Sequence, residues 1–253
     1  MRVRDLVPVA LLGALVAFVA AMARSAPSAA RTESQVELGT GADSDTTRRA
    51  AAWQIIADEA AGTYLLAMLA DDSMIVRWPD GLVEPIRVFI EPAVEITGWR
   101  QRRLSDAQQA FRTWERVVPP RFTFVGSAGE ADVTVRWTDR FPEARQVGVT
   151  RLVFDEDGRI HRAEITLAVH SALGVGITDS VAAITALHET GHALGLHHSP
   201  TSGDLMAARY DGVAQGLSEA DRATARLWYR LPIGSLRAPA TRSQRAPTTR
   251  SQR

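Results

Sequence analysis

The sequence predicts a mixed α/β domain, built from one sheet and several amphipathic helices. Segments with alternating apolar residues, which are typical of strands, lie between residues 86 and 169. Segments with apolar residues three and four positions apart, which are typical of helices, lie before, between and after those strands. The chain has 253 residues, 45% of them hydrophobic and 23% charged, so one domain with a full core is expected.

Five strands and three helices are predicted for this domain. The strands are Ile86–Ile90, Arg121–Val125, Ala131–Trp137, Val147–Phe154 and Ile160–Val169. The helices are Leu104–Val118, Thr178–Leu196 and Ser218–Tyr229. Residues 155–158, Asp-Glu-Asp-Gly, join the last two strands; a calcium site is an alternative there, but a hairpin turn is the favoured interpretation.

Four further segments surround the predicted domain of residues 74–233. Residues 1–23 are interpreted as an export segment and residues 24–46, rich in small and polar side chains, as a linker. Residues 47–72 form a helical segment, with one helix expected from Thr47 to Leu69. Residues 234–253 are Arg-rich and nearly free of apolar side chains, so a disordered tail is predicted.

The export segment has the features of a signal sequence. Arg2 and Arg4 precede the apolar stretch Leu6–Met22, and Ala21-Met22-Ala23 fits a small-x-small cleavage site. The stretch is long for a signal peptide and just short of a membrane span, so a cleaved signal peptide and a retained N-terminal anchor both stay open. Either alternative implies a protein that is secreted, periplasmic or anchored to the outer face of the cytoplasmic membrane.

Composition excludes several classes of function. The formal net charge is zero, which argues against a nucleic-acid partner. The chain has no cysteine, which excludes disulfides, thiolate nucleophiles and thiolate metal ligands. Any transition metal must therefore be bound by histidine and carboxylate side chains.

The residues that point to chemistry lie between His188 and Ser199. His188 and His192 are four apart in a predicted helix, so both imidazoles lie on one face and can bind one metal. Gly195 permits the left-handed conformation that turns the chain back, which lets His198 approach the same metal. Three protein ligands leave a fourth position for water, which is the catalytic arrangement.

Glu189 and His197 complete the interpretation of this stretch. Glu189 follows the first histidine and is predicted to be the general base that takes a proton from water. His197 competes with His198 as the third ligand, and the spacing from Gly195 favours His198. A helix that merely carries surface histidines is the alternative without function.

The stretch resembles the metzincin zinc peptidases, and in particular the matrixin form HExGHxxGxxHS, with Ser199 after the third histidine. Asp204-Leu205-Met206 resembles the Met-turn of these enzymes, in which a methionine lies beneath the metal, and Gly195 and Met206 would support the site. Tyr210 also matches the matrixin pattern and is implied to line the substrate pocket. Ala208 replaces the proline that is usual two residues after that methionine.

The resemblance covers about residues 74–233 and implies the fold. It implies a zincin-like, twisted, mainly parallel five-stranded sheet with an antiparallel edge strand, an active-site helix and a C-terminal helix. The sequence lacks the cysteine-bearing latency peptide of animal members, and the metal-binding loop expected between Trp137 and Val147 is missing. It therefore resembles a compact bacterial-type matrixin.

The resemblance also implies a metalloendopeptidase with one catalytic Zn²⁺, whereas calcium is not expected. Protein or peptide substrates would lie extended along the edge strand Val147–Phe154. We expect a monomer that meets a membrane only through an N-terminal anchor. Residues 47–72 are expected to act as a supporting helix or spacer and not as an inhibitory propeptide.

Two other functions fit parts of the same pattern. The first is an exported, non-catalytic, zinc-containing peptide-binding module, against which the presence of Glu189 argues. The second is a zinc hydrolase whose third ligand is a distant glutamate, against which Gly195 and His198 argue.

Overall fold

The computed structural model describes residues 2–5, 42–71, 73–209 and 212–237, with the side chains of residues 2–5, 42, 43 and 71 excepted. The apolar stretch Leu6–Met22 and most of the predicted tail lie outside these residues. Among the described helices, none has the length and apolarity that crossing a membrane requires.

A six-stranded sheet forms the centre of the described structure. Its strands are β1 (Arg2–Asp5), β3 (Ile86–Ile90), β4 (Phe122–Phe124), β5 (Val133–Thr138), β6 (Gly148–Phe154) and β7 (Ile160–Ala168). Their spatial order is β1-β6-β7-β5-β3-β4. A separate two-stranded ribbon pairs β2 (Met74–Ile75) with β8 (Gly234–Ser235), so the first residues of the predicted disordered tail belong to the fold.

Strands β4, β3, β5 and β7 run parallel, and β6 runs antiparallel to β7. The predicted five-stranded, mainly parallel sheet with an antiparallel strand is therefore confirmed. The register sets Val88 beside Val133 and Val133 beside Ala163, and all three side chains are fully buried. These small and branched side chains form the apolar layer on which the helices pack.

The structure adds one strand to the predicted edge. Strand β1, from the predicted export segment, pairs antiparallel with β6 and sets Arg2 opposite Phe154 and Asp5 opposite Arg151. It therefore pairs with the second half of β6, residues 151–154. The first half, residues 148–150, has no strand partner on that side among the described residues.

Two helices pack together beside the sheet. Helix α3 (Arg102–Glu115) buries its predicted apolar stripe, and α4 (Asp179–Ala193) carries the histidine motif. Trp114 of α3 is fully buried, and its indole Nε1 donates a hydrogen bond to the Leu187 carbonyl of α4 at 2.9 Å. This hydrogen bond holds the helix that carries the histidine motif against α3.

The helical segment before the domain differs from the prediction. Two helices, α1 (Ala42–Glu59) and α2 (Leu65–Asp71), replace the single helix expected over Thr47–Leu69, and α1 begins inside the predicted linker. Gly62 at φ +76° turns the chain between them. Apolar residues keep the helical spacing across this turn, so periodicity alone did not reveal the break.

The last helix, α5 (Glu219–Trp228), begins with a full capping box. The Ser218 hydroxyl accepts a hydrogen bond from the Asp221 amide, and the Asp221 carboxylate accepts one from the Ser218 amide. These two hydrogen bonds satisfy donors at the start of the helix that the sequence predicts over Ser218–Tyr229.

Candidate metal centre and active site

Three histidine side chains converge at the C-terminal end of α4. His192 Nε2 lies 3.1 Å from His188 Nε2 and 3.2 Å from His198 Nε2. Four-coordinate zinc, with bonds of about 2.0–2.1 Å, separates neighbouring nitrogens by about 3.3 Å. The observed spacing therefore fits one zinc ion among the three nitrogens, and these are the residues of the described chain that form such a cluster.

The outer nitrogens of two of these rings are fixed by backbone carbonyls. His188 Nδ1 lies 2.7 Å from the Leu205 oxygen, and His192 Nδ1 lies 2.7 Å from the Leu196 oxygen. A carbonyl only accepts, so each Nδ1 carries the proton and each Nε2 presents a lone pair. Two lone pairs at 3.1 Å repel each other unless a cation lies between them, which again favours a metal.

Burial keeps the three imidazoles neutral. Desolvation lowers the pKa of His188, of His192 and of His198. The neighbouring imidazoles also lower the pKa of His192 and of His198, and the two effects together bring the pKa of His198 to about 4. The neutral ring is the form that binds metals, so the site is prepared for a cation near neutral pH.

Gly195 makes the turn that brings His198 to the cluster. Its φ is +91°, and its amide donates to the His192 carbonyl where α4 ends. A Cβ at this position would lie 2.0 Å from the Val76 carbonyl oxygen. Both the conformation and the close approach therefore require glycine, as the sequence predicted for a turn here.

Glu189 follows His188 in α4 and has a buried side chain. Its side chain is 5% exposed, and its Oε2 accepts a hydrogen bond from the Thr150 hydroxyl of β6 at 2.7 Å. Burial raises its pKa to about 7, although the bond from Thr150 acts in the opposite direction. A carboxylate of this kind can take up and release a proton near neutral pH.

Met206 lies beneath the helix that carries the histidines. Its side chain is fully buried, and a Cβ at Gly191 would lie 2.5 Å from its sulfur. The same Cβ would lie 3.0 Å from Trp114. Gly191 therefore lets α4 rest directly on Met206. Tyr210, the predicted pocket residue, lies outside the described residues.

Asp221 of α5 holds the turn that contains Met206. Its carboxylate, fully buried, accepts hydrogen bonds from the Leu205 amide at 2.8 Å and the Met206 amide at 3.2 Å. The Tyr64 hydroxyl donates to the same carboxylate at 3.3 Å. The spacing of Ser218 and Asp221 in the sequence is that of a capping box, but this second role of Asp221 has no local signal, because the turn lies 15 and 16 residues away in the chain.

The remaining histidines lie apart from the cluster. The His197 ring lies 6.1 Å from the Trp228 ring, measured between centroids, and is not part of the three-histidine group. His161 contacts Asp155 at 3.1 Å, and His170 contacts Asp139 at 2.8 Å.

The sheet, the helix with two histidines and the glycine turn that adds a third together define a metzincin-type fold and site. The family model for Matrixin matches residues 96–230, and the chain belongs to this family of zinc metallopeptidases. The chain is similar to matrix metalloproteinase-19 of Homo sapiens, with 36% identity over 118 residues. That match covers 42% of this chain and 21% of the human protein, so the chain spans about a fifth of its relative.

Proposed function

We propose that this protein is a zinc-dependent endopeptidase, with His188, His192 and His198 as the zinc ligands and Glu189 as the general base. The convergence of the three Nε2 atoms carries the proposal, and the buried Glu189, which follows the ligand His188 in α4, supplies the base. Membership of the matrixin family supports the same reaction class.

The proposed mechanism assigns proton transfer to Glu189. Zinc, when bound, polarises the scissile carbonyl and makes the attacking water more acidic. Glu189 takes the proton from that water and passes it to the leaving amine as the peptide bond breaks. In the metal-free protein burial raises the pKa of Glu189 to about 7, which lies in the range that suits a general base.

We propose that the substrate binds as an extended strand along residues 148–150 of β6. This half of the strand lies next to Glu189, since a Cβ on Gly148 would lie 2.6 Å from Glu189 Oε1. An extended peptide would form main-chain hydrogen bonds there, which bind many sequences with similar affinity. The substrate class is therefore proteins and peptides, with side-chain pockets adding selectivity.

We also propose that the protein is exported. The support is the pattern of Arg2 and Arg4 before the apolar stretch Leu6–Met22. N-terminal sequencing of the protein from a producing cell tests this, because cleavage near Ala23 or an intact anchor in the membrane fraction agrees with export. Full-length protein that is soluble in the cytoplasm contradicts it.

The experiment for the enzymatic proposal combines metal analysis with digestion of a peptide library. We expect one zinc per chain and internal cleavage of peptides that stops when a chelator removes the metal. Glu189→Gln should keep the zinc and the fold but lower kcat about 10²- to 10⁴-fold, the usual contribution of a general base. A wild-type protein that binds zinc and peptides without cleaving them would instead be a binding module.

A further inference from the structure

We infer that Thr150 is a positioning residue for the general base, and that it orients the Glu189 carboxylate so that Oε1 faces the attacking water. This inference rests on the proposed peptidase function. The residue lies on β6, outside the histidine motif, and no feature of that motif predicts it.

The Thr150 hydroxyl bridges the strand and the catalytic helix at Glu189. It lies 2.7 Å from Glu189 Oε2 and 3.0 Å from the Glu189 backbone oxygen. The hydroxyl has one proton, and the nearer acceptor is Oε2. Thr150 is 3% exposed and Glu189 is 5% exposed, so water does not compete for this hydrogen bond. A hydrogen bond to a charged group in such surroundings is short and directional.

The position of Thr150 in β6 argues that its hydroxyl has a specific role. Successive residues of a strand face opposite sides, so residues 150, 152 and 154 share the face turned towards the core. Leu152 and Phe154 are apolar and buried, as packing requires. Thr150 is the polar member of this row, and valine would fill the same space without a hydroxyl.

Gly148 completes the arrangement around the other carboxylate oxygen. A Cβ at this residue would lie 2.6 Å from Glu189 Oε1 and 2.8 Å from Glu189 Cγ. The strand thus binds Oε2 through Thr150 and leaves room for Oε1 through Gly148. The bond from Thr150 fixes the plane of the carboxylate, so one oxygen is bound to the strand and the other is left free of Thr150.

The test compares Thr150→Val with Thr150→Ser in zinc-loaded protein on a peptide substrate. Valine keeps the shape and removes the hydroxyl, whereas serine keeps the hydroxyl and removes a methyl group. We expect Thr150→Val to lower kcat about 10- to 100-fold, the effect of losing a hydrogen bond to a charged group. KM and zinc content should stay within about twofold of wild type, and Thr150→Ser should recover most of kcat.

A second readout uses metal-free protein and does not depend on activity. Thr150→Val should lower the unfolding midpoint in the wild-type background and lower it less in the Glu189→Ala background, because the partner is then missing. Thr150→Ala and Thr150→Ser, which differ by one oxygen atom, give the same comparison if the valine variant folds poorly.

The outcomes separate this inference from the proposed function. An active wild type with an equally active Thr150→Val overturns the inference and leaves the peptidase proposal intact. Loss of zinc, a rise in KM that accounts for the loss, or no recovery with serine shows a purely structural role and also overturns it. An inactive wild type that is loaded with zinc overturns the proposed function itself.

Discussion

The buried carboxylate of Asp221 accepts a hydrogen bond from the Leu205 amide at 2.8 Å, and the Leu205 carbonyl lies 2.7 Å from His188 Nδ1. One peptide segment therefore connects the start of α5 to a proposed zinc ligand. The orientation of the His188 ring depends on this segment, since its Nδ1 proton has the Leu205 carbonyl as its acceptor. Residues far from the motif thus control the geometry of the metal centre.

Asp221→Asn should lower both stability and zinc affinity. Asparagine keeps one acceptor oxygen and replaces the other with an NH2 donor. Either the Leu205 and Ser218 amides, or the Met206 amide and the Tyr64 hydroxyl, would therefore lose their acceptor. We expect the free energy of unfolding to fall by about 2–4 kcal/mol and zinc affinity to fall about tenfold, at the lower end of effects for outer partners. Chemical denaturation and competition with a chromogenic chelator measure the two effects.

The matched control for this prediction is Glu219→Gln on the same helical turn. The Glu219 side chain is 90% exposed, so its replacement should change stability by less than about 0.5 kcal/mol. If Asp221→Asn behaves like this control, the carboxylate does not hold the turn in the way described.

His198→Ala should remove most of the bound zinc, whereas His197→Ala should leave about one zinc per chain. Gly195 turns the chain so that His198 lies at the cluster, while the His197 ring faces Trp228. Metal quantification after dialysis distinguishes the two variants. Zinc loss in His197→Ala alone would mean that the third ligand is misassigned.

Metal-free protein should lose stability as the pH falls from about 6.5 to about 4. Desolvation lowers the pKa of the three clustered histidines in the folded state, to about 4 for His198. Within this window the unfolded state binds more protons than the folded state, so acid favours unfolding. Denaturant midpoints of metal-free protein, measured across this range, check the direction.

The titration of Glu189 changes the stability of metal-free protein in the opposite direction over a similar pH range. Burial raises its pKa from 4.5 to about 7, so between these values the folded state binds the extra proton and gains stability as the pH falls. The three histidines together change the stability more than the one glutamate does. The net effect of acid on the metal-free protein is therefore destabilising. Glu189→Gln removes the opposing contribution, so the metal-free variant should lose stability more steeply in acid. If Glu189→Gln lost stability less steeply in acid than the wild type, the opposite pKa shifts of Glu189 and the histidines would be contradicted.

Sequence patterns among neighbouring residues predicted those parts of the structure that depend on interactions between neighbouring residues. The strand Ile86–Ile90 was predicted with its observed limits, because its apolar run lies between two prolines. The spacing of His188, His192 and His198 predicted their convergence, because helix geometry and a glycine turn fix it. In both cases neighbouring residues contain the information.

Contacts between distant residues were not predictable in this way. The pairing of Met74–Ile75 with Gly234–Ser235 joins the two ends of the domain, and neither segment has a clear strand pattern. The Thr150–Glu189 hydrogen bond joins residues 39 positions apart. Threonine is common in strands, so its presence at position 150 does not indicate a contact with Glu189. Such contacts become visible only when the register of the sheet against α4 is known.

Removal of residues before Ser73 should destabilise the protein and should not activate it. The N-terminal helical segment belongs to the core, since Leu65 and Met68 of α2 are at most 1% exposed. Tyr64, at the turn before α2, donates its backbone amide to the Thr224 hydroxyl at 3.0 Å and its own hydroxyl to Asp221. Deletion would therefore uncover apolar surface on α5 and remove a partner from the residue that holds the Met206 turn. Leu65→Ala is the milder version and should cost about 2–5 kcal/mol.

The comparison uses protein that starts near Ala23, protein that starts at Ser73 and the Leu65→Ala variant, all on one quenched peptide substrate. We expect the shortest form to show a much lower unfolding temperature, or no folded protein, and no gain in kcat for the part that folds. Leu65→Ala should lower the unfolding temperature while kcat at a lower assay temperature stays near wild type, because the segment supports the fold without contacting the three histidines. An inhibitory propeptide gives the opposite pattern. Activity would then rise on truncation, and adding residues 42–72 as a separate peptide would suppress it again.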